Sequence, residues 1–597
     1  MTRAAGTVAG AAGLALVLGI AFFPVIRGRA TLLPVQPGVM PDGPYGYTRP
    51  RPAPAVLDPA ASAIKYLPVT ALVSRMWKRG ELPFWNPFCG GGVPLWANGE
   101  AFACAPLRLP LYLDPSARMW NAWWLLRLWL AGCLTAALAR HLGISMAGSL
   151  GAGTAYMLGG YLVLSLNLMH LDVDILLPGL LLAVDRLLGQ PRSQWGFVAV
   201  AGVTWAMALG GGPQALAVDA LLAAVWVLVR SPGRVATAQT VLAGATGMAG
   251  SLPFWFPFLE VLGRAHHLHG AGAARSGASV VPMAGLRALV GPWLDRPDAQ
   301  GLPSYYYAGE MVLLLAVAGA WSASRRGRAG TAVPARLLVG VACFELWKIF
   351  GGPGSAALGA LPGLSLIWWG KYAGPLALSL ALLAGFGLDR LARGRWLPGW
   401  GLALALAAEL VALRPGPLPA PHDPLRPAPY VGWLQSRVHA EPGWRICGLG
   451  TVLMPDIAAA FDLPDIRLED SLIDREQYRV LFDGISAPKE PRLSMFITLD
   501  ALDPRRLDAL RGLGVRWLLA WKEWRPVPAV APALVRVYDA EIGIWQIRGA
   551  RPFPGWPPRG RRLFWVGCWA AVVLVPVLLW AGLSVGKGPS RRPSRMI

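Results

Sequence analysis

The sequence predicts a polytopic α-helical integral membrane protein that carries one sizeable α/β domain outside the membrane near its C-terminus. Two observations lead to this prediction. Of the 597 residues, 55% are hydrophobic and 15% are charged, whereas a soluble globular chain carries roughly 25% charged residues. Apolar runs of about 20 residues, the length that crosses a bilayer as a helix, recur along the chain between short charged stretches.

Twelve segments of the chain are predicted to span the membrane. They cover approximately residues 5–26, 119–139, 149–169, 173–189, 194–210, 214–230, 236–258, 309–323, 334–351, 372–389, 396–413 and 562–583. Arg27 and Arg29 follow the first segment where a signal peptide would have small residues for cleavage. The first segment is therefore interpreted as a span.

The distribution of positive charge predicts the orientation. Lys and Arg are concentrated in every second short loop and in the C-terminal tail, and such loops stay in the cytoplasm. Both termini are therefore expected to be cytoplasmic, in a multi-pass protein. Three larger segments would then face outside: a first loop of about 28–118, a middle loop of about 260–308 and a hydrophilic segment of 414–560.

The net charge of +22 does not indicate a nucleic-acid partner. The basic residues lie mostly in short loops, as membrane orientation requires, and they form no basic stripe or nucleic-acid motif. The sequence also contains no Walker motif, Rossmann fingerprint, nucleophile elbow or HExxH. ATP-driven transport and serine hydrolysis are therefore poorly supported.

Segment 414–560 is predicted to form a small α/β domain. Its strand-like runs lie at 444–450, 515–521, 533–539 and 542–548, with a helical stretch at 503–513. The alternation predicts a mixed sheet covered by helices. The chain then divides into a transmembrane region with the first loop (1–413), this α/β domain (414–560), and a final helix with a basic tail (561–597).

The first loop contains the most informative motif. A rigid turn at Trp85, Asn86 and Pro87 precedes glycines 90–92, which permit unusual backbone conformations. A structured loop that plugs the helix bundle would explain this pattern, and so would a binding site. Asp58 precedes a helical stretch and is either a general base or an ordinary helix cap.

Three further clusters lie at predicted outer ends of spans. His170, Asp172 and Asp174 resemble half a metal site, and a polar turn is the plainer interpretation. A divalent metal therefore stays an open alternative, and no other cofactor is indicated. Gln214 follows a glycine run in "GGGPQ" (210–214), which is either a tight turn or a ligand contact.

Aromatic and charged residues complete these junctions. Tyr306 belongs to three consecutive Tyr that are typical of an interfacial belt, and Glu310 begins a span, where the helix dipole favours a carboxylate. Lys371, in "LIWWGKYAG", either binds a phosphate or extends to lipid headgroups. Charges within spans are functional candidates by default; they are Arg127, Asp219, Glu345, Lys348 and Glu409.

Taken together, these motifs resemble the YfhO family of bacterial membrane proteins. The resemblance rests on "DP" (58–59), "GELPFWNPFCGGGVPLWAN" (80–98), "GGGPQ" (210–214), "WFPFLEVL" (255–262), "LPGLSLIWWGKYAGPLALSLALLAGFGLDRL" (361–391), "WRICGLG" (444–450) and "LGVRWLLA" (513–520). It covers nearly the whole chain in order. The Trp-Asn-Pro segment with its glycines is the most specific element.

The YfhO family is similar to the C-type (GT-C) membrane glycosyltransferases. The resemblance implies transfer of a sugar from a polyprenyl-phosphate donor to a cell-envelope polymer or glycan, on the outer face of the bacterial cytoplasmic membrane. It makes Asp58 the candidate catalytic carboxylate. The candidate substrate-binding residues are Trp85, Asn86, Asn98, Gln214, Tyr306, Glu310 and Lys371.

The sequence departs from the family pattern at two positions. Gly212 stands where family members carry His, and Lys371 stands near a position where Arg is common. Asp172 matches no family motif. The rival hypotheses are a carrier or flippase for a lipid-linked intermediate, with Arg127, Asp219 and Glu409 lining a polar path, and an assembly factor whose α/β domain binds partners.

Overall fold

The computed structural model of the protein describes residues 3–33, 61–266, 289, 307–324, 329–392, 395–413, 418–423, 425–486 and 496–585. The helices of the first half are α1 (Arg3–Ala21), α2 (Phe23–Ile26), α3 (Leu67–Lys78), α4 (Leu109–Leu113), α5 (Ala117–His141), α6 (Met146–Leu158), α7 (Gly160–Leu164), α8 (Leu171–Asp174), α9 (Leu177–Gly189), α10 (Gln194–Ala208), α11 (Pro213–Arg230), α12 (Arg234–Gly250) and α13 (Leu252–Arg264). Those of the second half are α14 (Glu310–Ser324), α15 (Ala329–Ile349), α16 (Ser355–Gly359), α17 (Ala373–Leu391), α18 (Trp396–Ala412), α19 (Pro429–Ala440), α20 (Arg475–Ile485), α21 (Pro504–Gly512) and α22 (Arg561–Val585).

Each predicted span coincides with one helix or with a broken pair of helices. Segment 149–169 divides into α6 and α7 at Gly159, whose backbone leaves the helical region (ψ 149°). Segment 236–258 divides into α12 and α13 at Ser251. Pro253 follows this break in the first turn of α13, where its missing N–H removes no helical hydrogen bond.

The number of twelve spans is not confirmed, although the apolar helical character is. Within the described ranges, four helical segments are long and apolar enough to cross a membrane: Ala117–His141, Pro213–Arg230, Gly370–Leu391 and Arg561–Ser584. Shorter apolar helices are Gly6–Ala21, Glu310–Ser322 and Leu397–Ala412. Breaks and short helices explain the difference, because a span needs about 20 residues at 1.5 Å each.

Small residues allow the central helices to approach closely. A Cβ placed on Gly153 of α6 would lie 2.7 Å from the Gly132 carbonyl oxygen of α5. On its other face, a Cβ on Gly148 would lie 2.8 Å from the Gly385 carbonyl oxygen of α17. Glycine at these contacts lets backbone meet backbone, as is common between membrane helices.

The α/β domain contains a four-stranded mixed sheet. Its strands are β3 (Arg445–Gly448), β6 (Val515–Trp521), β7 (Leu534–Asp539) and β8 (Ile542–Ile547), in the order β3-β6-β8-β7. Strand β3 pairs with β6 in parallel, and the other pairs are antiparallel. The four predicted strands and the predicted helix at 503–513, here α21, are thereby confirmed. A short antiparallel pair joins β4 (Leu468–Glu469) to β5 (Phe496–Ile497).

The first loop packs against the α/β domain. Its described part contains a π-helical turn (Ala61–Tyr66), α3 and an antiparallel pair of β1 (Trp85–Asn86) with β2 (Val93–Pro94). Arg75 of α3 donates to Asp462 (2.8 Å), and the Gln477 amide donates to the carbonyls of Gly90 (2.9 Å) and Gly92 (3.0 Å). The glycine segment is therefore held by the α/β domain.

Candidate active site

Lys371 and His170 form the centre of the candidate site. The Lys371 ammonium lies 2.6 Å from Nδ1 of His170, which is 1% exposed. The same ammonium lies 5.5 Å from the centre of the Trp368 ring, a distance typical of a cation–π contact. Lys371 lies in the 3-10 turn (Trp369–Tyr372) that leads into α17, and His170 immediately precedes α8, so two helix starts place this pair.

The imidazole of His170 has one nitrogen engaged and one unused. Its buried Nε2 has no hydrogen-bond partner, which is costly unless a ligand or water supplies one. A Cβ on Gly212 would lie 3.0 Å from the His170 α-carbon. Gly212, the position at which the family resemblance places His, therefore lies next to His170. An imidazole is thus present beside this position, but it comes from the start of α8.

Asp172 forms a buried ion triad. Its carboxylate accepts hydrogen bonds from Arg108 Nε (2.8 Å) and Arg127 Nη1 (2.7 Å). The Arg108 guanidinium lies 3.1 Å from the centre of the Phe102 ring, and that of Arg127 lies 3.9 Å from Trp123. Aromatic faces and one shared carboxylate therefore compensate two buried cations.

Asp174 is held by tyrosines. The Tyr161 hydroxyl donates to its Oδ2, and the Tyr156 hydroxyl donates to its backbone carbonyl oxygen (2.8 Å). His170, Asp172 and Asp174 thus have three different sets of partners. No group of three or more His, Cys, Asp or Glu within the described residues is arranged to hold a metal ion. The geometry here gives the metal alternative no support.

The remaining candidates at span junctions have structural contacts. Gln214, in the first turn of α11, accepts a hydrogen bond from the Trp368 backbone N–H (3.2 Å) and so ties α11 to the segment before Lys371. Glu310 is the first residue of α14, and its own N–H donates to the carboxylate of Glu409. Asp58 and Tyr306 lie outside the described residues.

The first-loop candidates Trp85 and Asn86 form strand β1, which pairs with β2. A Cβ on Gly92 would lie 2.6 Å from the Trp85 indole nitrogen, so this glycine accommodates the ring. Asn86 is 2% exposed and accepts from the Phe88 backbone N–H (2.9 Å). Both residues shape the turn around the glycines.

Asn98 begins a turn that contacts the glycine run beside His170. It caps a short turn (Gly99–Ala101) by accepting from the Glu100 N–H (2.9 Å), and its amide donates to Asp470 of the α/β domain (2.7 Å). A Cβ on Gly99 would lie 2.9 Å from the Gly211 carbonyl oxygen. The turn therefore lies against the glycine run that precedes α11.

Among the charged residues within spans, two lack the freedom that a transport path would require. Arg127 is engaged by Asp172, as described above. Glu409 accepts from the Tyr307 hydroxyl (2.8 Å) and the Met311 N–H (2.9 Å), so it caps the start of α14. Asp219 is fully buried, and neither of its carboxylate oxygens has a hydrogen-bond partner.

Sequence reasoning missed a buried charge cluster beside the candidate site. Lys65, which is 3% exposed, lies 2.5 Å from Glu100, 3.6 Å from Glu469 and 3.7 Å from Asp470. We call these four residues the Lys65 cluster. No local motif marks it, because its members come from three separate segments of the chain.

Burial and charge shift the protonation of this cluster and of Asp456 beside it. Burial raises the pKa of Glu469 to about 8 and that of Asp456 to about 7, although the nearby Lys65 opposes both shifts. Burial alone would lower the pKa of Lys65, but Asp470, Glu100 and Glu469 together raise it well above its usual value. Lys65 therefore stays protonated at neutral pH, and the pKa of Glu469 lies close enough to neutral for this carboxyl group to change its charge there.

The overall fold is similar to that of a much longer enzyme of known structure. The structure superimposes on a cryo-electron microscopy structure of the mycobacterial arabinofuranosyltransferase AftD with a TM-score of 0.54 and 17% sequence identity. The alignment covers 91% of this chain and 42% of the AftD chain, so this protein spans less than half the length of that enzyme. No protein-family model matches the sequence, and a search of curated proteins gives no significant match.

Proposed function

We propose that the protein transfers a sugar from a polyprenyl-phosphate donor to a cell-envelope polymer or glycan on the outer face of a bacterial cytoplasmic membrane. The observation that carries the proposal is the meeting, within a GT-C-like fold, of two span ends, a first-loop turn and the α/β domain around the Lys371 ammonium and the buried His170 imidazole. The YfhO resemblance and the charge pattern of the short loops supply the expected side of the membrane.

Lys371 and His170 are the proposed contacts of the donor phosphate. An ammonium and an imidazole N–H both donate to phosphate oxygens, and such charge-assisted bonds are strong in a site that excludes water. Nε2 of His170 is available for this role because it has no other partner among the described residues. The buried guanidinium of Arg127 adds positive potential, since it acts electrostatically on His170.

Asp58 is the proposed general base. It would accept the proton of the acceptor hydroxyl while that oxygen attacks the anomeric carbon and the bond to the donor phosphate breaks. The electron pair leaves with the polyprenyl phosphate, whose added charge Lys371 would stabilise. One displacement inverts the configuration at the anomeric carbon, so the product linkage provides a further measurement.

Radiolabelled polyprenyl-phospho-sugars, supplied to the purified protein in proteoliposomes with envelope glycan, test the proposal. We expect wild-type protein to transfer label, and Asp58→Asn to lower the rate by about 10²–10⁴-fold, the usual contribution of a positioned base. Asp114→Asn, at an exposed aspartate of the same loop that contacts Ser116, is the matched control. Full transfer by Asp58→Asn would overturn the assignment of the base.

A further inference from the structure

The α/β domain is connected to the His170–Lys371 pair through one short turn of the first loop. Asp470 accepts from Asn98 (2.7 Å), and the Ser471 hydroxyl donates to Glu100 (2.7 Å). These two bonds hold Asn98, the cap of the short turn described above, and Glu100 within it. We call this segment the Asn98–Glu100 turn. The contact of Gly99 with Gly211 then fixes the opposite side of the turn.

Lys65 completes the connection. Its ammonium lies against the Glu100 carboxylate (2.5 Å) and donates to the Glu469 backbone carbonyl (2.9 Å), so it joins the first loop to strand β4. Glu100 in turn interacts electrostatically with Lys371. The charge of Lys371 is therefore influenced by a carboxylate whose position depends on Lys65.

We propose that the Lys65 cluster is a positioning device through which the α/β domain holds the Asn98–Glu100 turn against Gly211 and so orients His170 and Lys371. Lys65, Asn98 and Glu469 are then positioning residues. The inference deepens the proposed function and rests on it for its effect on transfer. It gives the α/β domain a direct part in the site rather than an accessory one.

The charge balance of the cluster makes this device sensitive to pH. Lys65 faces Glu100 from the first loop and Glu469, Asp470 and Asp456 from the α/β domain, so the carboxyl groups outnumber the cation. The cluster is compatible with burial only while some of these groups are protonated. Ionisation of Glu469 near pH 8 adds a negative charge that Glu100, Asp456 and Asp470 repel, and so weakens the contact between the first loop and strand β4.

The sign of the effect follows from the raised pKa of Glu469. A carboxyl group with a pKa of about 8 in the folded protein and an ordinary value of about 4.3 when unfolded binds its proton more tightly when folded. Its burial therefore costs no stability below about pH 4, and stability falls as pH rises toward 8. Asp456 acts in the same direction with a pKa of about 7.

Hydrogen–deuterium exchange of the full-length protein in lipid nanodiscs tests the positioning role without an activity assay. The reporters are the amides of Glu100 and Ala101, which donate to Asn98. We expect Lys65→Met to speed their exchange by about a hundredfold, since it leaves buried carboxylates without their cation. Lys78→Met, at an exposed lysine of α3, is the matched control and should leave exchange unchanged.

Glu469→Gln is the second variant, because it imitates the protonated carboxyl group and preserves its volume. The measured quantity is the protection factor of the turn amides, which removes the pH dependence of intrinsic exchange. We expect this factor to fall between pH 6 and 9 in wild type and to fall less in Glu469→Gln, in which Asp456 still titrates, while Glu523→Gln, at an exposed position, behaves as wild type. Lys65→Arg should restore slow exchange.

The two proposals fail in different ways. Unchanged exchange in Lys65→Met, or a wild-type pH profile in Glu469→Gln, would overturn the positioning role whatever the activity. If the wild type transfers no sugar and the exchange results hold, the proposed function fails while the positioning role stands. If both hold, Lys65→Met should also lower kcat for transfer by about tenfold or more, and Lys65→Arg should recover it.

Discussion

Asp172 is expected to stabilise the fold as a shared counterion, and Asp172→Asn tests this role against a metal-binding one. Asp172 is fully buried, and the Arg108 and Arg127 side chains that donate to it are 1% and 3% exposed. The amide has nearly the same volume, so the variant creates no cavity. It removes the one negative charge that both guanidinium groups share.

The expected loss is large. Breaking a buried ion pair by neutralising one partner costs about 3–5 kcal/mol, because the other charge stays buried without compensation. The matched control is Asp508→Asn, whose carboxylate contacts Arg511 at 2.8 Å but is 72% exposed. A surface pair of this kind contributes about 0–1 kcal/mol, so the two variants separate burial from pairing.

The free energy of unfolding can be measured by SDS titration in mixed micelles, with the fluorescence of the 28 Trp residues as signal. We expect Asp172→Asn to be less stable by at least about 3 kcal/mol and EDTA to change neither protein. A difference below about 1 kcal/mol would refute the counterion role, since that is the range of surface pairs. If EDTA destabilises wild type but not Asp172→Asn, a metal is bound at this aspartate.

Three further predictions concern other contacts around the candidate site. Gly99→Ala should lower stability by about 1–3 kcal/mol, because its Cβ would lie 2.9 Å from the Gly211 carbonyl oxygen; SDS titration measures it, with Gly401→Ala, which meets open space, as the control. Glu409→Gln should weaken the capping of α14 by about 1 kcal/mol, visible as faster amide exchange confined to the first turn of that helix. Lys371→Met should raise the KM for the lipid-linked donor by about tenfold or more and Lys371→Arg by less; an unchanged KM in Lys371→Met would exclude it as the phosphate ligand.

Local patterns in the sequence predicted the apolar helices, the four-stranded sheet and the helix at 503–513, but not the short strands β1, β2, β4 and β5. The α/β domain strands appear where short apolar runs predicted them. Strands β3, β6 and β8 are buried at nearly every position, and a strand covered on both faces is written as an almost continuous apolar run. The membrane helices likewise coincide with apolar runs. The number of spans could not be derived as securely, since breaks such as the one at Gly159 depend on how neighbouring helices pack.

Contacts between segments far apart in the chain could not be predicted from the sequence. Asn98 and Asp470 are 372 residues apart, and nothing in either segment indicates the other. The same holds for Lys371 and His170, which are 201 residues apart. Residue type indicated that both were worth attention, but only the fold places an ammonium beside an imidazole and leaves the second nitrogen unused.

These long-range contacts change how the α/β domain is understood. A transferase that joins a lipid-linked donor to a polymer must align one substrate within the membrane with another outside it, and misplacement of about 1 Å can cost a hundredfold in rate. If the protein has the proposed function, the buried bonds that Asp470 and Glu469 make to the first loop would supply this alignment. Because those bonds are buried, they exclude water and hold one geometry. The carboxyl groups around Lys65 outnumber its single positive charge, so the bonds hold this geometry best while some of the carboxyl groups are protonated.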